Sequence, residues 1–289
     1  MKSFTTRILY YGILKPISLL PFRALYVLSD VFFLLLFYIF PYRKKIVLEN
    51  LRGSFPKKNE TEIQSICKEF YKHFCDVVVE TIKLFSASSE TIGKRVQLVN
   101  LELLEKYYVQ NKSLILVTGH YANWEWGALT LPSHCRHKAI GIYQPLTNKF
   151  FNEKLIETRG SSGITLMPVK LVAKYFEDHM DQLCCYGFIN DQSPSNPDRG
   201  HWAKFLNRDT CMLTGAERYA KQYDYPVLYG MIRKHSRGKY SCEYRLVTDQ
   251  PCLAPDGEIT EMCSAINESI IRENPSYWLW THRRWKHKK

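Results

Sequence analysis

The sequence predicts an α/β fold: a mostly parallel central sheet flanked by helices, carrying an N-terminal helical membrane anchor. Three observations predict it. Apolar runs at 114–117, 138–143 and 182–189 are rich in strand formers and too short for helices. Segments with helical apolar spacing alternate with these runs, the pattern of a parallel sheet with crossover helices. Residues 31–40 are ten apolar residues without a break, and basic residues flank the greasy stretch on both sides.

In chain order, residues 8–41 are the most apolar part. A full span needs ~20 apolar residues, whereas a run of ten to fourteen fits an interfacial or buried helix. Arg7, Lys15 and Arg23 precede the run, and Arg43, Lys44 and Lys45 follow it, so charge gives no orientation. No small-residue cleavage site follows it, so a retained monotopic anchor is preferred to a removed signal peptide. Aromatics such as Tyr10, Tyr26 and Tyr38 suit a membrane interface; a buried helical hairpin is the alternative. Residues 1–52 are therefore taken as a membrane-association segment and 53–289 as the main domain.

A basic helix over 43–55 ends near Gly53 and Pro56. Asn59 and Glu62 form a capping-box start for a helix over 61–85. Ile63, Ile66, Phe70, Phe74, Val77 and Val78 recur along it at core-facing spacing. A helix over 101–110 precedes the central strand. Beyond it, a strand at 138–143 ends at Gln144-Pro145, and Asn148 caps a helix over 149–158 that stops at Arg159-Gly160. Helices follow at 169–179, 213–223 and 259–273, with strands at 182–189, 226–232 and 240–247.

The most informative stretch is 113–131. A strand runs into Thr118-Gly119, His120 lies just past its end, and Asn123 can cap a helix whose first turn holds Glu125. Open α/β sheets place their chemistry at this edge. Glu125 folded back onto His120 would hold one ring nitrogen as donor and leave the other as a base. Asn190-Asp191-Gln192 is a second set of polar residues at the end of an apolar strand.

The net charge of +12 is uneven: residues 1–52 carry eight Lys and Arg against two acids, and the last nine carry five and no acid. Charge at two ends, one of them greasy, fits an anionic membrane surface or an acidic carrier protein better than a nucleic-acid groove. Nine cysteines, an odd number without Cys-x-x-Cys, argue against a disulfide framework or zinc site and for reduced, mostly buried thiols. No P-loop, Gly-x-Gly-x-x-Gly or Gly-x-Ser-x-Gly elbow occurs. A base without an evident nucleophile suits direct transfer, in which the histidine deprotonates an acceptor hydroxyl that attacks a carbonyl beside it.

Gly119-His120-Tyr121-Ala122-Asn123-Trp124-Glu125 resembles the His-x4-Asp/Glu motif of the glycerolipid acyltransferase superfamily. The surrounding sequence resembles the late acyltransferases of lipid A biosynthesis, the lauroyl/myristoyl transferase branch. The likeness continues in Arg43 with Asn50-Leu51 and Phe55-Pro56, in Tyr143-Gln144-Pro145-Leu146, Arg159-Gly160, Asn190-Asp191-Gln192 and Thr214-Gly215-Ala216. It closes with Asn274-Pro275, Trp280 and His282-Arg283-Arg284-Trp285-Lys286, the most specific element.

The resemblance implies acyl transfer from an acyl carrier protein thioester to a hydroxyl of a lipid A precursor, at the cytoplasmic face of the inner membrane. It implies no metal and no cofactor, with His120 as general base and Glu125 as its orienter. Arg159, Asp191, Asn123, Gln144, Arg283 and Arg284 are the substrate-binding candidates it suggests. Gln144 stands where the branch has Arg, so phosphate binding can differ. Another membrane lipid as acceptor, a lipid esterase using water, and a non-enzymatic peripheral membrane protein remain as alternatives.

Overall fold

The computed structural model describes residues 2–289. Helix α1 (Lys2–Leu9), a π-helical turn (Tyr10–Leu14), α2 (Lys15–Leu19) and α3 (Phe22–Leu34) form the N-terminal layer, and a second π-helical turn (Leu35–Ile39) prolongs α3. Next come α4 (Lys44–Ser54), α5 (Glu60–Lys83), α6 (Ser89–Gly93), β1 (Val96–Val99), α7 (Glu102–Val109), β2 (Leu114–Thr118) and α8 (Trp124–Thr130). The middle of the chain holds β3 (Lys138–Tyr143), α9 (Lys149–Gly160), β4 (Thr165–Pro168), α10 (Val172–Asp178) and β5 (Cys184–Ile189). The last part supplies β6 (His201–Phe205), β7 (Arg208–Met212), α11 (Gly215–Tyr223), β8 (Val227–Ser236), β9 (Lys239–Thr248) and α12 (Glu258–Glu273).

Seven strands form one sheet in the order β1-β9-β8-β2-β5-β3-β4. All neighbours run parallel except the β8–β9 hairpin, so the expected mostly parallel sheet is observed. Strand β2 lies at its centre between β8 and β5, and Leu114, Ile115 and Val117 are fully buried. Helix α8 packs over β8, β9 and β1, and α11 and α12 pack against β2 and its neighbours. The expected helix at 169–179 is shorter, because Val169–Leu171 is a 3-10 turn leading into α10.

Helix α5 begins as the sequence indicates. The Asn59 side chain accepts from the Glu62 amide at 2.9 Å, and the Glu62 carboxylate accepts from the Asn59 amide at 2.9 Å. Such caps stabilise a helix by ~0.5–2 kcal/mol. The buried side of α5 receives α3 and the π-helical turn that prolongs it, whose Leu25, Ser29, Phe33 and Phe37 recur every four residues and are all buried. The Ser29 hydroxyl donates to Asp76 at 2.8 Å. The opposite side of the same continuous stretch exposes Val27, Val31, Leu34 and Tyr38. Residues Phe22–Ile39 are long and apolar enough to cross a membrane, with mean hydropathy 1.9 over 18 residues, yet only 22% of the window is covered by protein.

Two further strands form a small antiparallel hairpin, β6–β7. Its turn residues Leu206 and Asn207 both have positive φ, 49° and 65°. All nine cysteines are free thiols and most are buried, Cys252 being exposed.

Candidate active site

Strand register builds the site. Thr118 of β2 pairs with Ile189 of β5 in a parallel ladder. His120 and Asp191 are each two residues beyond that pair, so two neighbouring strands deliver them side by side at the C-terminal edge. The Asn190 amide donates to the Thr118 carbonyl at 3.3 Å and carries the pairing past the strands. Gly119 permits a close approach of α12: a Cβ there would lie 2.8 Å from the Asn267 side-chain oxygen.

The contact on the imidazole differs from the sequence expectation. His120 Nδ1 lies 2.6 Å from Asp191 Oδ1, and the His120 amide donates to Asp191 Oδ2 at 2.7 Å. Trp278 Nε1 also donates to Oδ2, at 2.7 Å. An acceptor-only carboxylate on Nδ1 fixes the proton there and leaves the Nε2 lone pair as the base. Burial pushes the Asp191 carboxyl up, but the His120 charge and the donors from His120 and Trp278 outweigh it and hold the group below its usual range. Asp191 is shut away and His120 is partly exposed: the Asp191 side chain is 3% exposed, that of His120 18%.

Glu125, expected against the imidazole, faces Arg159 instead. Arg159 Nε donates to Glu125 Oε2 at 2.9 Å and Nη2 to Oε1, a two-pronged pair between the first turn of α8 and the last turn of α9. The physical reason is the turn at 120–123. Ala122 takes a left-handed φ of 50°, held by its amide donating to the Tyr277 carbonyl at 2.9 Å. The helix that starts after it presents Glu125 to α9, where the fixed fork of a guanidinium matches a carboxylate. The expected contact with Arg159 as a substrate ligand is thereby tied to Glu125.

Asn123 caps α8 as expected, accepting from the Trp126 amide at 3.0 Å. Its side chain is fully buried and its amide donates to Glu80 at 2.6 Å, so it supports the turn from behind and is closed to substrate. Glu80 also accepts from the hydroxyls of Tyr26 on α3 and Tyr240 on β9, both at 2.8 Å. Burial raises the Glu80 carboxyl to about 7, against the pull of those three donors.

The C-terminal segment forms the wall behind His120 and Asp191. Tyr121 pairs with Trp278 in an antiparallel bridge, and the Leu279 amide donates to the His120 carbonyl at 3.1 Å. Asn50 of α4 donates to the Trp280 and His282 carbonyls, both at 2.9 Å. His282 Nε2 accepts from the Ser193 amide at 3.1 Å, which secures the loop after Asp191. That acceptor role needs a neutral ring. Burial lowers the His282 pKa to about 4, with Arg284 adding to the effect and Asp191 opposing it.

The tail arginines separate. Arg283 is exposed, but Arg284 is buried, donates to the Cys211 carbonyl at 2.6 Å and is lowered to about 10 by burial. Arg284 is thus a wall residue, closed to phosphate, because the tail tucks under β7 instead of trailing in solvent. Gln144 is exposed just past β3, on the same edge of the sheet.

Two site residues escaped the sequence reading as such: Trp278, a donor to Asp191, and Gln192, whose side-chain nitrogen is 3.2 Å from His120 Nε2. The apolar run ending at residue 189 is the available signal for Gln192; Trp278 has no local signal, because only the non-local bridge to Tyr121 brings it to the site. Trp124 packs edge-on against the imidazole, with centroids 5.0 Å apart. Among the described residues no cluster of His, Cys, Asp and Glu is placed to hold a metal ion.

A family model described as bacterial lipid A biosynthesis acyltransferase matches residues 1–287. No curated protein matches the chain.

Proposed function

The chain belongs to the bacterial lipid A biosynthesis acyltransferase family, and we propose that it moves an acyl chain from an acyl carrier protein thioester to a hydroxyl of a lipid A precursor, with His120 as general base and Asp191 as its orienter. Membership makes it an acyl-transferring enzyme with a lipid acceptor. The observation that carries the mechanism is an imidazole whose Nδ1 is held by a buried carboxylate, so that the Nε2 lone pair faces only the neutral Gln192 amide.

The steps follow from that geometry. The acceptor hydroxyl gives its proton to His120 Nε2 as its oxygen bonds to the thioester carbonyl carbon. The ionised Asp191 stabilises the imidazolium that forms. The carbon–sulfur bond then breaks, and the departing sulfur takes the proton back from Nε2 and leaves as a thiol. The cycle needs no covalent enzyme intermediate, metal or cofactor. In this account Glu125 acts through Arg159: the pair locks α8 to α9 and offers a partly exposed guanidinium that an acceptor phosphate would bind.

The donor assignment rests on charge. Arg283, Lys286, Lys288 and Lys289 are exposed on the tail that walls the site, a basic patch suited to an acidic carrier protein. Transfer from the carrier-bound acyl chain is expected to exceed transfer from the same chain on coenzyme A, and to slow by roughly tenfold as salt screens the encounter. Equal rates from both donors, without salt dependence, would remove the carrier protein from the account.

The exposed face of α3 supplies the membrane contact, one side seated on α5 and the other on lipid. We place the protein at the inner membrane with the site facing the cytoplasm, where carrier thioesters are made. Deleting residues 1–42 would strip α5 of its cover, so surface substitution is the cleaner test. Val27→Gln, Val31→Gln and Leu34→Gln together should weaken binding to anionic vesicles by at least about a hundredfold, since each buried apolar side chain contributes ~1.5–3 kcal/mol. Unchanged co-sedimentation would refute the anchor.

A further inference from the structure

The turn that delivers Asp191 to one side of the imidazole delivers Gln192 to the other. Gln192 Nε2 lies 3.2 Å from His120 Nε2. With the Nδ1 proton directed at Asp191, Nε2 carries a lone pair, and the contact is the Gln192 amide donating into the base itself. The loop that presents the amide is pinned beyond it. The Ser193 amide is held by His282, and the Pro194 carbonyl lies 2.9 Å from His287 Nε2. Trp124 covers the imidazole from another direction. The nitrogen that must take the acceptor's proton is therefore occupied by a half-buried neutral donor on a fastened loop.

We propose that Gln192 is the second contact of the attacking oxygen, and that it sets the partition of the acyl donor between lipid transfer and hydrolysis. This rests on His120 being the base. With no acceptor bound, the amide caps Nε2 and disfavours a water at that position. When the acceptor lipid binds, its hydroxyl oxygen enters between the two nitrogens. It donates its proton towards His120 Nε2 and accepts one from the Gln192 amide, which leaves a lone pair to attack the thioester carbonyl. Without the amide, water occupies Nε2 freely. Its oxygen then bonds to the same carbonyl carbon, the carbon–sulfur bond breaks, and free fatty acid and carrier thiol result.

The test measures carrier thiol release with and without a lipid A precursor in detergent, for the native protein and for Gln192→Ala, Gln192→Glu and His120→Ala, each checked for folding by its melting temperature. Gln192→Ala should transfer about tenfold more slowly, the size of one neutral hydrogen bond, and the ratio of hydrolysis to transfer should rise about tenfold. In Gln192→Glu an ionised carboxylate cannot donate to Nε2 and instead favours the protonated ring. Its transfer should be suppressed near neutrality and recover at higher pH, moving the acid limb of the pH profile upward. A purely structural role would lower activity without moving that limb or the ratio. If Gln192→Ala keeps the native ratio and Gln192→Glu the native profile while His120→Ala is inactive, Gln192 alone is excluded. If His120→Ala still transfers, the base assignment falls and this proposal falls with it.

Discussion

Asp191→Asn should lower acyl transfer by about 10⁴-fold, the loss seen when the acidic partner of a catalytic histidine becomes an amide. The reason is tautomeric. Asp191 Oδ1 accepts from Nδ1, whereas Oδ2 receives the His120 amide and the Trp278 indole. An amide at 191 can keep its oxygen on the two donors only by turning its nitrogen towards Nδ1. The imidazole then moves its proton to Nε2, and no lone pair faces the acceptor. The reverse orientation sets an amide nitrogen against two donors in a buried site, which destabilises the turn by about 1–3 kcal/mol per unsatisfied group. Glu125→Gln should cost clearly less, because an amide oxygen still accepts from Arg159 and the imidazole is untouched. The order of the two losses, measured as kcat/KM, separates Asp191 from Glu125 as orienter. A larger loss at Glu125 would return that role to the motif acid.

His120→Ala is the second large effect. Loss of a general base typically costs ~10²–10⁴-fold, and here no other group on the site's open side replaces it. His282 is nearby, but its ring nitrogen is committed to the Ser193 amide and its pKa of about 4 makes it a weak base. The fold should tolerate the change, since the His120 backbone bonds to Asp191 and Leu279 remain. A melting temperature within a few degrees of the native value, with transfer lost, is the expected pair of results. Transfer kept within a few-fold would take His120 out of the mechanism.

The parts of this site that the sequence discloses are those built by neighbours in the chain. The strand at 114–118, the stop at Gly119 and the Asn123 cap are local events, and each is found where the residues indicate. The Asn59 and Glu62 box is another. The partner of His120 is a non-local fact. Strands β2 and β5 are adjacent in the sheet but separated in the chain by two further strands, so the register that aligns residue 120 with residue 191 cannot be read from spacing. Proximity in sequence favoured Glu125, and the left-handed turn at Ala122 redirected it.

Other elements were hidden for different physical reasons. Strands β1 and β4 have only four residues each, too few for an apolar pattern. The β6–β7 hairpin turns at Leu206-Asn207 without the glycine that usually marks positive φ. The tail arginines Arg283 and Arg284 are both expected to meet substrate, yet Asn50 and the Tyr121 bridge draw the tail into the core and bury Arg284. The exposed face of α3 shows the converse. Its apolar residues are legible, but which of them meet protein is decided by α5.

The most direct measurement is mass spectrometry of lipid A from cells that have the chain, lack it, or carry it as His120→Ala. The account predicts that the cells lacking it lose one acyl chain from lipid A and that His120→Ala fails to restore it. Full acylation in the His120→Ala cells, or lipid A unchanged by removal of the chain, would contradict it.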